Sequence, residues 1–143
     1  MIKTEKAYQR NLEIMQEWEK SIEQKKKELE EQGYCKKEIA LMAQLASTLP
    51  DQILADILEY ERTRKGEFNK TCTFEEIGKQ LIRLRIWKGI SQAELAERLG
   101  VTPQQVSKDE RNEYHRASNE KIHQVLTALG VRAKVVIETM EEN

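Results

Sequence analysis

Few residue types in this 143-residue chain can do covalent chemistry, and none stands in a spacing that would let it. Cys35 and Cys72 are isolated, which fits a reducing cytosol and leaves no disulfide frame. His115 and His123 lie eight residues apart with no paired ligand nearby, a poor metal site. His123 reads instead as an amphipathic-helix position, and Trp18 and Trp87 read as core or interface residues. No phosphate-binding Gly loop and no nucleophile motif occurs, so no enzymatic activity, cofactor or metal is expected. What the chain offers is non-covalent. Between 102 and 111 it gathers the hydroxyls of Thr102 and Ser107, the amides of Gln104 and Gln105, and the cations Lys108 and Arg111. Taken alone, these residues read equally well as a solvated helix face.

The elements around them narrow that reading. Thr73 opens a helix through Phe74, Ile77, Leu81, Leu84 and Arg85 that ends at Gly89. Ser91 caps the next, Gln92 to Leu99, and Glu94 three residues on completes a capping box. Gly100 stops that helix by allowing a left-handed turn that other residues adopt only at a cost. Thr102 caps a third helix, 103–111, with Pro103 in the first position, where its missing N–H costs nothing. Ser118 caps a fourth, carrying Ile122, Val125, Leu126 and Leu129 and closed by Gly130. Two short helices joined by a short Gly-containing turn form a helix-turn-helix unit. Its geometry asks for a small residue where the helices cross, which is Ala96, and for Leu95, Val101 and Val106 in the wedge between them. Gln104, Gln105 and Lys108 then project from the outer face of the second helix.

The run Ser91-Gln92-Ala93-Glu94-Leu95-Ala96, with Gly100-Val101-Thr102, Val106-Ser107 and Glu110, resembles the lambda-repressor/Cro-like (XRE-type) family over residues 74–130. That resemblance implies a DNA-binding regulator. It implies that Gln92 touches a phosphate and that Thr102, Ser107 and the helix N-terminus hold further phosphates. Gln104 and Gln105 would read base edges in the major groove, where glutamine pairs best with adenine N6 and N7. Lys108 and Arg111 would reach guanine or phosphate, and Arg85 with Glu110 would form a structural ion pair. Asp109 departs from the family pattern, which has an aromatic or aliphatic residue there. Tyr114, His115 and Arg116, in the loop after the third helix, read either as contacts to the DNA backbone or as plain surface.

The overall charge argues the other way at first. With 24 Lys+Arg against 25 Asp+Glu, the chain carries −1, an unusual balance for a nucleic-acid binder. The mean conceals its distribution. Residues 1–70 hold 13 basic and 14 acidic groups, whereas residues 71–137 hold 11 and 8, with Glu138, Glu141 and Glu142 concentrated in the tail. A local charge of +3 suits weak binding by one copy and stronger binding by two on a palindromic operator with half-sites about 34–36 Å apart.

Residues 1–70 read as a helical N-terminal region for oligomerisation or partner binding, and residues 71–143 as the DNA-binding domain with its tail. Thr4 caps a helix that runs unbroken to Gly33, with Tyr8, Met15, Ile22 and Leu29 on a thin apolar stripe beside Leu12 and Trp18. Such a helix either packs on its own domain or forms an arm that pairs with another chain. Ile39, Met42, Leu45 and Ala46 mark a second helix. Thr48, Pro50 and Asp51 look like the capped start of a third, with Ile53, Leu54, Ile57 and Leu58 as its apolar face. No run of about 18 apolar residues occurs, so no membrane span is expected, and the first residues lack the apolar core of a secretory signal. A cytoplasmic location follows as an expectation.

After Gly130, Val131, Ala133, Val135 and Ile137 recur with a strand's period of two; the alternative is a short helical extension. Nothing else in the chain reads as the strand's partner, so it is expected to pair with the same strand of a second subunit. The expected fold class is therefore mainly α: an N-terminal helical arm, a lambda-repressor-like helix-turn-helix domain, and a C-terminal β-strand across a homodimer. The stretch from Lys3-Thr4-Glu5-Lys6-Ala7-Tyr8 to Ile57-Leu58-Glu59-Tyr60-Glu61 also resembles HigA-type antitoxins. That second resemblance implies an autoregulating repressor that neutralises an RNA-cleaving toxin protein. The alternative is a stand-alone XRE-type regulator whose N-terminal helices serve only oligomerisation.

Overall fold

The computed structural model describes residues 1–45 and 48–141; the side chains of residues 45–50 are outside that description. Ala46 and the Thr48 side chain, on which the expected Thr48–Asp51 capping box rests, lie outside the described residues. The chain divides into two compact units, Met1–Phe68 and Asn69–Asn143. The described residues form seven α-helices and one short 3-10 turn, so the protein is mainly α.

The first unit holds α1 (Glu5–Glu31), α2 (Lys36–Leu45) and α3 (Thr48–Arg64). Thr4 caps α1 by accepting the Ala7 N–H at 3.2 Å, and Glu5 places an acid where the helix dipole favours it. Twenty-seven residues make α1 about 40 Å long. Gly33, at φ +89°, ends it, and the Tyr34 N–H reaches back to the Leu29 carbonyl. The apolar stripe of α1 is covered unevenly. Tyr8 and Leu29 are buried, while Leu12, Met15, Trp18 and Ile22 between them are half-buried, as α1 packs on α3 and α2.

One cluster closes the unit at the start of α1. The rings of Tyr8 and Tyr60 lie 4.9 Å apart, with the Arg64 guanidinium 4.6 and 5.1 Å from their centroids. Tyr8 Oη donates to Glu61, a hydrogen bond that, with desolvation, raises the phenol's pKa. Arg64 also meets Glu5 at 3.3 Å. Contacts of this aromatic and cationic kind are each worth on the order of 0.5–1 kcal/mol beyond burial. Leu41, Met42, Leu54 and Leu58 remain exposed on α2 and α3.

The second unit holds α4 (Ile77–Trp87), α5 (Gln92–Leu99), α6 (Pro103–Arg111) and α7 (Asn119–Ala128). Its core is built from Leu81, Ile82, Leu95, Ala96, Val106 and Val125, all essentially inaccessible to solvent. The helix start expected at Thr73 is loose. Thr73 makes no side-chain cap bond, Phe74–Glu76 form a 3-10 turn, and Phe74 is 72% exposed instead of joining the helix face. Gly78, in the first turn of α4, lies against the loop after α6: a Cβ there would sit 1.7 Å from the Glu113 carbonyl oxygen. Arg98 on α5 donates to the Ala128 carbonyl at 2.8 Å, tying α5 to the end of α7.

The tail departs from the sequence expectation. Residues 131–141 adopt no regular secondary structure, and no strand occurs among the described residues. Val135, Val136 and Ile137 are 69%, 78% and 89% exposed. A strand needs a ladder partner for its N–H and C=O groups, and the described residues of one chain supply none.

Candidate nucleic-acid interface

Local sequence shapes the interface before any long-range contact forms. Ser91 Oγ accepts the Glu94 N–H at 3.1 Å and the Glu94 carboxylate accepts the Ser91 N–H, so the capping box of α5 is complete. Gly100, at φ +69°, turns the chain, and the Val101 N–H bonds the Ala96 carbonyl at 3.0 Å. Ala96 itself is 1% exposed where α6 crosses. Thr102 Oγ1 accepts the Gln105 N–H at 3.2 Å, and Pro103 occupies the first turn. As an acceptor in its own cap, the Thr102 hydroxyl still has its proton to donate outward.

A buried polar network then holds α6 in place. Arg85 on α4 donates through Nε and Nη2 to both oxygens of Glu110 on α6, the second at 3.0 Å. Its Nη1 donates to the Ile90 carbonyl at 2.9 Å, in the turn leading to α5. Gln92, the first residue of α5, donates to Glu110 Oε2 at 2.6 Å. The side chains of Arg85 and Glu110 are 4% and 0% exposed, so this pair sits in the core with its hydrogen-bonding capacity used. The network reaches α4, α5, α6 and the intervening turn, and fixes the direction in which α6 presents its outer face. Gln92, whose resemblance-based role is a phosphate contact, has its amide turned toward Glu110.

On that outer face, Gln104, Gln105, Lys108 and Arg111 are exposed and Ser107 is half-buried. Gln105 is not loose: its Nε2 donates to Asp109 Oδ1 at 2.9 Å, one turn further along the helix. Asp109 Oδ2 in turn faces Lys121 of α7 at 3.5 Å. The acid that departs from the family pattern thus has two partners inside the unit.

The loop 112–117 is the other structural feature of the site. Glu113, Tyr114 and Arg116 take φ of +52°, +53° and +63°, a left-handed run that costs such residues on the order of 1 kcal/mol each. The Tyr114 N–H bonds the Asp109 carbonyl at 2.8 Å, and the Tyr114 side chain is 7% exposed. Desolvation, reinforced by Glu110 and Asp109, raises the pKa of its phenol. Tyr114 is therefore a buried residue of the unit rather than plain surface, while His115 and Arg116 are exposed.

Gly78 and Lys121 carry weight in this site that sequence reasoning missed. A glycine inside an otherwise regular helix pattern signals a close backbone approach, and that signal was available for Gly78. Nothing local marks Lys121. Trp87 is 40% exposed, with Lys70 and Lys88 Nζ 4.6 and 5.2 Å from its ring centroid. Among the described residues, no group of three or more His, Cys, Asp or Glu side chains could hold a metal ion. No helix among them is long and apolar enough to cross a membrane.

Two short helices at a Gly turn, the second held by a buried ion pair and exposing amides and cations, define a helix-turn-helix DNA-binding module. Residues 81–135 match the family model described as Helix-turn-helix, a match that supports an XRE-type DNA-binding transcription regulator. No curated protein and no solved structure matches the chain.

Proposed function

We propose that this protein is a sequence-specific, dimeric transcriptional repressor that binds a palindromic operator through α6 and works in the cytoplasm. The observation that carries the reading is the exposure of Gln104, Gln105, Lys108 and Arg111 on one helix whose inner side is fixed by the Arg85–Glu110 pair. In this reading Gln104 and Gln105 read base edges, and Lys108 and Arg111 meet phosphate or guanine. Thr102, Ser107 and Gln92 line the phosphate backbone. Gln92 reaches it with the amide oxygen and the proton left free by Glu110. Val131, Ala133, Val135 and Ile137 pair with the same segment of a second copy, which satisfies the backbone groups that one chain leaves open.

The experiment is a titration of the full chain against its own promoter DNA at several salt concentrations. The Gln104→Ala/Gln105→Ala variant should lose sequence preference while keeping non-specific affinity. Lys108→Ala should instead weaken all sequences alike and lower the salt slope by about 0.9. Equal sequence preference in the wild type and the double variant would overturn the base-contact assignment.

The finer role proposed is that of an antitoxin repressing its own operon and neutralising an RNA-cleaving toxin held by residues 1–68. The exposed Leu41, Met42, Leu54 and Leu58 of α2 and α3 support a partner for that unit. They also support the second reading, a stand-alone regulator whose N-terminal helices only build the oligomer. Deletion of the gene separates the two: an antitoxin's loss arrests growth, and a stand-alone regulator's does not.

A further inference from the structure

Glutamine is an ambiguous reader of DNA. Its amide presents a donor and an acceptor side by side, and rotation by half a turn exchanges them. Adenine offers an N7 acceptor and an N6 donor in the major groove, whereas guanine offers two acceptors, N7 and O6. A free glutamine can meet adenine with one N–H and its oxygen, or turn both N–H groups toward guanine. Discrimination between these purines therefore depends on whether something outside the DNA uses one N–H and fixes the sense of the amide.

Asp109 has the chemistry to do this. An ionised carboxylate accepts and cannot donate, so Gln105 must turn its nitrogen, not its oxygen, toward Asp109 Oδ1, 2.9 Å away. The other oxygen, Oδ2, faces Lys121 Nζ at 3.5 Å, which anchors the carboxylate from α7. The Asp109 side chain is 22% exposed, so it is set into the side of the unit while Gln105 stands exposed beside it. With one Nε2 proton committed, Gln105 keeps one N–H and Oε1 for the groove, the complement of adenine. Gln104 makes no side-chain hydrogen bond among the described residues and stays free to adapt.

We infer that Asp109 is a specificity-determining residue that fixes the amide sense of Gln105, so that the base position under Gln105 is read as adenine and guanine is refused. The inference rests on the proposed reading of α6 as the recognition helix. An acid on a DNA-binding helix ordinarily weakens binding by repelling phosphate. Here its charge is spent on Lys121 and on one amide proton, and what it contributes is selectivity.

The test selects binding sites from a random double-stranded DNA library with the full-length protein, then measures affinity for the selected site and for copies with each adenine replaced by guanine. Asp109→Asn is the decisive variant. It keeps the shape, but its amide can accept from or donate to Gln105, so the sense is released. Asp109→Ala serves as the second variant, and thermal denaturation checks that both fold. Lys121→Met is the control, because it removes the ion pair and leaves Asp109 as acceptor.

The wild type should prefer adenine at one position by about 5- to 100-fold. Both Asp109 variants should shrink that ratio roughly 3- to 10-fold at that position and no other, with Lys121→Met retaining it. An unchanged ratio in folded Asp109→Asn and Asp109→Ala, with Gln105→Ala abolishing it, overturns the inference and leaves α6 as the reader. No adenine position that responds to Gln105→Ala would overturn the recognition-helix reading of Gln105, and this inference with it.

Discussion

Removing the charge of Glu110 is the sharpest test of how this module is held together. In Glu110→Gln the side chain keeps its volume but leaves the Arg85 guanidinium, 4% exposed, without its counter-charge. Breaking a buried pair from one side costs about 3–5 kcal/mol, because the remaining ion is desolvated and uncompensated. A unit the size of Asn69–Asn143 has only about 4–11 kcal/mol of total stability. The variant should therefore lower the transition of this unit by roughly 12–40 °C, and at the upper end should not fold at 37 °C. The assay is circular dichroism with heat and urea, with each transition assigned by the residual DNA binding of the sample. The paired variant Arg85→Met/Glu110→Leu separates charge from packing, since replacing both ions with apolar groups is often neutral or stabilising by about 1–4 kcal/mol. With Arg85→Met and Glu110→Leu also made singly, the coupling energy from that cycle should exceed about 2 kcal/mol. A loss below about 1 kcal/mol in Glu110→Gln would refute the argument that this pair fixes α6.

Three further outcomes follow from other parts of the structure. Gly78→Ala places a Cβ 1.7 Å from a backbone oxygen that no side-chain rotation can move, so it should cost at least about 1–3 kcal/mol in urea unfolding, and a neutral result would show that the loop 112–117 yields. Tyr114 has a raised phenol pKa in the folded state, so its stabilising contribution is intact below the ordinary value of 10.0 and falls as pH rises beyond it. The loss is at most about 1.4 kcal/mol per pH unit, and Tyr114→Phe should remove that alkaline slope from the unfolding free energy. In the tail, Val135→Lys/Ile137→Lys should convert a dimer to monomers in sedimentation velocity and weaken operator binding, whereas an unpaired tail with both residues exposed would tolerate the change.

The caps of α1, α5, α6 and α7 were legible because each is a local event: Thr4, Ser91, Thr102 and Ser118 bond an N–H three residues ahead, whatever the rest of the chain does. The left-handed turn at Gly100 was legible for the same reason. What the residues alone did not disclose depends on partners far along the chain. Gly78 answers to Glu113, and Asp109 to Lys121, a residue on another helix. Gln92 could be placed at the start of α5, but not turned toward Glu110. The strand at 131–138 shows the opposite failure. Its period of two is a real local signal, but a strand is a relation between two segments, and the described residues of one chain hold no second one.

The charge balance can now be argued residue by residue. In the second unit, Glu110 is buried against Arg85, Asp109 is occupied by Lys121 and Gln105, and Glu94 is folded into the cap of α5. Glu113 stands 4.0 Å from Lys79. These four acids count fully in the net charge yet contribute little field outward, because a carboxylate with a close cation or donor is screened at its own site. Lys108 and Arg111 on α6 have no such acid partner among the described residues and are exposed. Three of the four acids also tie up Arg85, Lys121 and Lys79, so the ion pairs remove equal charge of both signs and the +3 over residues 71–137 stands. The outer side of α6 exposes two cations, which is few phosphate contacts for one copy. On the proposed reading, affinity at physiological salt comes from a second copy on the same operator. On the same proposed reading, specificity comes from neutral amides, of which Gln105 has its sense held by Asp109.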